Sequence, residues 1–109
     1  MITFDEFKKI EIRVGKILSA EKIPDTDKLL KLSVDLGEDK LRQIVSGISF
    51  YFPDPVVLVG KKCMFVANLE PRIIRGFESE GMIFAVSDET GNFSLLEPSD
   101  SIGVGTLAK

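Results

Sequence analysis

The 109-residue chain has no histidine, no tryptophan and a single cysteine, Cys63. Without histidine it lacks the commonest general base near neutral pH. It also lacks the serine and cysteine nucleophile systems that depend on that base, and most catalytic zinc sites. One cysteine rules out an internal disulfide and suits a reducing cytoplasm. No GxxxxGK[ST] or GxGxxG phosphate loop and no paired CxxC appears. No apolar run approaches the ~20 residues of a membrane span. The opening Met1-Ile2-Thr3-Phe4-Asp5-Glu6 is acidic and lacks the basic-then-apolar order of a secretory signal. These absences argue against an autonomous enzyme, a cofactor, a metal site and a membrane partner.

What is present is an ordinary globular balance, 44% hydrophobic and 28% charged. The length fits one domain, residues 1–109, able to bury a core without a staple. The net charge of −3 does not advertise nucleic-acid binding, but its distribution is uneven. Residues 1–75 hold 13 of the 14 basic residues against 11 acidic ones, a net of +2; residues 76–109 hold one basic and six acidic, a net of −5. A chain polarised in this way can offer an anion one favourable face.

Along the chain, Thr3 and Glu6 form a capping box for a short helix that places Phe4, Phe7 and Ile10 on one face. Ile10, Ile12 and Val14 then alternate with Glu11 and Arg13. The pattern breaks at Gly15 and resumes at Ile17 on the other parity, which suggests a bulge. Leu30, Leu32, Val34 and Leu36 alternate with Lys31, Ser33 and Asp35, the pattern of a half-buried strand. After a turn at Gly37-Glu38-Asp39, residues 41–45 return as its hairpin partner. Residues 49–59 read as a helical or irregular connector whose Phe50, Tyr51 and Phe52 plug one end of the sheet. A fourth strand runs from Lys62 to Ala67, an irregular segment from Asn68 to Gly81, and a fifth strand from about Met82 to Ser87. Asp88–Asn92 turns, Phe93–Leu96 is a short extra strand, and the tail from Pro98 ends in turns or a small hairpin. Three strands, a connector and two strands make an all-β chain, with the order of a five-stranded oligonucleotide-binding (OB-fold) barrel carrying short helices and a C-terminal extension.

In that barrel a ligand lies across strands 2 and 3, between the loop joining strands 1 and 2 and the loop joining strands 4 and 5. Those places hold Lys28, Lys31, Arg42, Asn68, Arg72, Arg75, Ser79 and Met82. The cations can neutralise phosphates, Asn68 and Ser79 can hydrogen-bond base edges or ribose hydroxyls, and Met82 offers a flat base an apolar contact. Each has a plainer reading: a solvated strand face for Lys31, pairing with Glu70, Glu78 or Glu80 for Arg72 and Arg75, a turn cap for Asn68, core for Met82. Asp25-x-Asp27 lacks the rest of a metal loop and reads as a solvated turn. Cys63, alternating with Met64, reads as an inert core residue.

The stretches DKLLKLSVDLG (27–37), SGI (46–48), VANLEPR (66–72) and RGFESEGM (75–82), with FDEFKKIEIRVGKI (4–17), closely resemble the structure-specific tRNA-binding domain. That domain is a C-terminal extension or separate beta subunit of methionyl-tRNA synthetases, and also a stand-alone bacterial tRNA-binding protein. The resemblance implies recognition of tRNA shape at the outer corner of the L, a homodimer closed by the chain termini, and protein biosynthesis as its setting. It places the family's binding residues on Lys28, Arg42, Asn68, Arg72, Ser79 and Met82. The chain departs from the family at Ile73, where a lysine is usual; Arg75 is the candidate to restore that charge. The implied role is a non-catalytic tRNA-binding module, acting alone or in trans with a methionyl-tRNA synthetase catalytic chain. A related branch of the fold is associated with secretion chaperones, and a protein-binding module is the alternative reading. That branch generally lacks the DKLLKL block and the closing GM pair, both present here.

Overall fold

The computed structural model describes all residues, 1–109. The helix α1 (Phe4–Phe7) carries the expected capping box: Thr3 Oγ1 accepts from the Glu6 amide at 3.1 Å, and the Glu6 carboxylate accepts from the Thr3 amide at 3.1 Å. Nine strands follow: β1 (Ile12–Lys22), β2 (Leu30–Asp35), β3 (Arg42–Ser46), β4 (Lys62–Val66), β5 (Arg72–Ile74), β6 (Phe77–Ser79), β7 (Met82–Ile83), β8 (Ala85–Ser87) and β9 (Phe93–Leu95). Five form one antiparallel sheet in the order β3-β2-β1-β4-β7, while β5–β6 and β8–β9 are separate hairpins. The sheet curls until residues 78–81 meet the free edge of β3. There the Glu80 amide donates to the Gln43 carbonyl at 2.8 Å, and the Val45 amide donates to Ser79 Oγ at 3.0 Å. This is the nearly closed, all-β five-stranded barrel that the strand order implies.

The alternation in β2 does what it predicts. Leu30, Leu32 and Val34 are buried in the barrel, while Lys31, Ser33 and Asp35 are half-buried on the other face. Ile17, Ile44, Cys63, Phe65 and Ile83 complete the interior with Leu36 and Leu58. Burying each such side chain is worth ~1.5–3 kcal/mol. Burial also pushes the Cys63 thiol up to about 11, so it stays protonated and inert at neutral pH.

Four local expectations are corrected. The bulge in β1 falls between Ile17 and Ser19, not at Gly15. Gly15 is needed because it faces the packed interior: a Cβ there would meet Leu36, Phe65 and Val34 side chains at 2.8 Å. The parity change arises because both faces of β1 are covered. Gly15 and Ile17 turn inward, and Val14 lies under the tail, whose Thr106 carbonyl accepts from the Val14 amide at 2.9 Å.

Segment 68–81 is not irregular. Arg72 pairs with Ser79, Ile73 with Glu78 and Ile74 with Phe77, around a two-residue turn at Arg75-Gly76 with φ of 52° and 84°. Positive φ at both central residues is the turn geometry that matches strand twist. The strand expected over 82–87 breaks at Phe84, where β8 leaves the barrel to pair with β9.

The connector forms two 3-10 turns, Ser49–Tyr51 and Pro55–Leu58. At about three residues per turn only one side chain in three can face inward. Ser49 is buried, Tyr51 stacks on Phe93 at the surface with centroids 4.0 Å apart, and Phe52 packs against the core edge. Phe50, expected in the core, is 80% exposed. The tail makes turns, not a hairpin of its own, and runs beside β1 through Gly105–Val14 and Ala108–Ile12 backbone bonds of 2.7 Å each.

Gly15→Ala is therefore an overpacking change, expected to lower unfolding free energy by ~1–3 kcal/mol in denaturant titrations. An unchanged midpoint would show that the interior yields to the added methyl.

Candidate nucleic-acid interface

The β1–β2 loop is a fixed structure. The Ile23 amide donates to the Leu29 carbonyl at 3.2 Å, and Thr26 Oγ1 donates to the Ile23 carbonyl at 2.7 Å. Lys28 is pinned by its backbone, its carbonyl accepting from the Ser49 amide at 2.9 Å, while its side chain is exposed. Opposite stands the tip of the β5–β6 hairpin. The two enclose an open cleft of about 440 Å³ lined by Thr26, Asp27, Lys28, Leu29, Ile74 and Arg75. Its lining carries two cations, Lys28 on the loop and Arg75 on the hairpin, and one carboxylate, Asp27. Neither Lys28 nor Arg75 forms an ion pair, nor does Arg72, exposed at the base of the hairpin. Met82 is 45% exposed in β7 opposite Val66.

The other four expected site residues are bonded to groups of the protein itself. Lys31 Nζ lies 3.0 Å from Glu21 and 4.9 Å from the Phe77 ring centroid, so it ties β6 to the outer face of β2. Ser79 is buried, accepting from the Val45 amide and donating to the Gly81 carbonyl at 3.2 Å. Asn68 accepts from the Glu11 amide at 2.8 Å and donates to the Lys9 carbonyl at 2.6 Å, joining the loop after β4 to the chain before β1.

Arg42 directs Nε and Nη2 at the Glu38 carboxylate, both at 2.8 Å, and Nη1 at the carbonyls of Ala67 and Glu80. The hydrogen-bonded pair pulls the Glu38 carboxyl below its ordinary value and raises the Arg42 guanidinium. The expected groove thus divides in two: Lys28, Arg72, Arg75 and Met82 face solvent without an ion pair, whereas Lys31, Arg42 and Ser79 hold the hairpin and its return against the barrel and Asn68 ties the loop before it to the chain entering β1.

Glu38, Gln43 and Glu80 belong to this arrangement and were not among the expected residues. Gln43 Nε2 donates to the Glu78 carbonyl at 3.0 Å, and its amide donates to Glu80 Oε1 at 3.1 Å. The four-residue spacing of Glu38 and Arg42 was the available signal. It is a contact rule for helices, and here it spans a turn. Asp25 and Asp27 are joined by no third carboxylate or thiol that would complete a cation site.

The family model described as a putative tRNA-binding domain matches residues 12–107. A methionine–tRNA ligase of Chloroherpeton thalassium is 48% identical over 108 residues, covering 99% of this chain and 15% of that protein. The chain therefore spans a small part of the length of such relatives. Among solved structures, a MetRS-related protein from Pyrococcus horikoshii has a TM-score of 0.92 at 40% identity, covering 100% of this chain and 98% of the other. The chaperone CsaA from Bacillus anthracis has a TM-score of 0.86 at 28% identity, covering 100% and 99%. No helix in the chain is long and apolar enough to cross a membrane.

Asn68→Ala removes both ends of its bridge. Thermal unfolding should show a loss of ~1–2 kcal/mol, because the Glu11 amide and Lys9 carbonyl each lose a partner. An unchanged melting temperature would release Asn68 from this structural role.

Proposed function

Because the chain belongs to the tRNA-binding domain family, we propose that it is a non-catalytic module, a single domain over residues 1–109, that binds folded tRNA through Lys28, Arg72 and Arg75. The observation carrying this reading is that these three cations are unpaired, and that Lys28 and Arg75 face one another across one cleft held by two fixed loops. A phosphate entering the cleft meets two positive charges and one negative. Met82 supplies an apolar contact beside the hairpin, and recognition rests on phosphates and ribose hydroxyls, hence on shape. Arg75 stands in for the lysine replaced by Ile73, whose side chain is exposed on the hairpin. Lys31, Arg42, Asn68 and Ser79 act by setting the shape of this surface. The working compartment is the cytoplasm, where the module acts alone or in trans with a methionyl-tRNA synthetase catalytic chain.

A homodimer through the chain ends completes the reading. Phe4, Phe7, Ile10 and Leu107 line an apolar cleft of about 270 Å³ between the helix α1 and the tail, with Phe4, Ile10 and Leu107 well exposed. Pairing two copies would cover this surface and put two tRNA sites on one particle. Sedimentation at micromolar concentration should give twice the 12.1 kDa chain mass; a particle of the single-chain mass contradicts the dimer.

The likeness to the chaperone CsaA supports a second reading, a protein-binding module on the same barrel. The two separate by ligand. In the tRNA reading, affinity for tRNA falls with salt at a log–log slope of roughly −2 to −3 for three phosphate contacts. It also exceeds affinity for duplex DNA of equal length. Arg72→Ala weakens tRNA binding by ~1–3 kcal/mol with little change in melting temperature. Binding indifferent to salt, equal binding of DNA, or capture of unfolded protein with no tRNA bound would overturn the tRNA reading.

A further inference from the structure

One nitrogen of Arg42 joins the two stems of the loop that carries Arg72 and Arg75. Nη1 donates both to the Ala67 carbonyl, where the chain leaves β4, and to the Glu80 carbonyl, where it returns from β6, the latter at 3.0 Å. The rest of the guanidinium is held by Glu38, whose two carboxylate oxygens accept from Nε and Nη2 at 2.8 Å each. Four of the five guanidinium N–H groups are thereby occupied. Neither the fork geometry nor the net charge that a phosphate would use is left over. Glu38 lies in the turn between β2 and β3, so the pair links that turn, the end of β4 and the returning strand across the barrel seam.

We propose that Glu38 is a positioning residue for tRNA binding, acting through Arg42 to hold the β5–β6 hairpin where its free cations meet the RNA. This rests on the tRNA-binding reading above. The expectation runs against simple electrostatics. Glu38 is a negative charge beside a surface meant for a polyanion, and removing it should by charge alone strengthen binding. The geometry requires the opposite. Without the carboxylate the guanidinium is free to swing toward solvent, and the Ala67 and Glu80 carbonyls lose the donor that draws the stems together. Lys28 then faces a hairpin that samples several positions, and the cleft must be ordered when the ligand binds.

The test titrates tRNA against the full chain, Glu38→Gln, Arg42→Lys and the double variant at several salt concentrations, with amide hydrogen exchange followed in each protein. Glu38→Gln is expected to weaken tRNA binding about three- to ten-fold, within the range of coupling through a packed network. It should leave the log–log salt slope unchanged, since no phosphate contact is lost. Arg42→Lys keeps the charge and loses the fork, and should weaken binding similarly. The double variant should be little worse than either single one, because both break the same connection. Exchange at the Glu80 amide, which donates to the Gln43 carbonyl, should quicken in Glu38→Gln while exchange at core Phe65 stays slow.

Equal or tighter tRNA binding by Glu38→Gln, wild-type binding by Arg42→Lys, or a salt slope steepened by about one in Glu38→Gln would overturn the proposal; the last would make the freed Arg42 a phosphate contact. Should the unaltered chain bind no tRNA, the functional reading falls. The exchange comparison still decides the latch: unchanged Glu80 exchange in Glu38→Gln refutes it, and quickened exchange confined to the hairpin supports it.

Discussion

The barrel has one weak seam, and its closure governs everything placed above it. Strands β2, β1, β4 and β7 join by regular ladders, but β3 meets the returning chain mainly through side chains: Arg42 on the Ala67 and Glu80 carbonyls, Gln43 on Glu78 and Glu80, and Ser79 on Val45. Such bonds stabilise modestly one at a time, yet leaving a buried partner unmade is costly, so they tend to hold or fail together. The β5–β6 hairpin rides on this seam. Its stems are gathered by Arg42, its flank is anchored by Lys31 on Phe77, and its entry is fixed by Asn68. A short hairpin alone in water is marginal, and here it inherits its order from the barrel.

That arrangement divides polar residues into two kinds that look alike in a sequence. Arg42 and Arg72 are both arginines flanking the same predicted groove. One is paired with Glu38 and has acceptors on four of its five N–H groups, while the other stands exposed without an ion pair. Charge held in a network shapes the surface; charge left free is available to a polyanion. The negative net charge of the whole chain therefore says little about this face, where Lys28, Arg72 and Arg75 stand unpaired.

The sequence made much of the fold legible because its strongest signals are local. The period-two pattern of 30–36, the capping box at Thr3 and Glu6, and the Gly37-Glu38-Asp39 turn after Leu36 each act within a few residues. What it hid was non-local or unconventional. The Arg75-Gly76 turn lacks the usual asparagine or aspartate, so the β5–β6 hairpin read as irregular chain. Gly15 looked like a bulge because its real constraint comes from Leu36, Phe65 and Val34, each distant in sequence. Three consecutive aromatics suggested a plug, whereas the tight turn beneath them left Phe50 outside. At the site, sequence position brought eight residues to one region. It could not distinguish those pointing outward from those bonded to the protein, since for Arg42 and Asn68 that depends on distant partners, Ala67 25 residues away and Glu11 57 residues away.

On the proposed function, the free cations of two fixed loops form the RNA-facing surface, with the engaged polar residues behind them. Residue-resolved NMR of the chain titrated with tRNA addresses this most directly. Resonances of Lys28, Arg72, Arg75 and Met82 should shift with added tRNA, while the Arg42 Nε–H signal keeps the position its bond to Glu38 gives it. Shifts gathered instead around Phe4, Ile10 and Leu107, or around Tyr51 and Phe93, with Lys28, Arg72 and Arg75 unmoved, would contradict it.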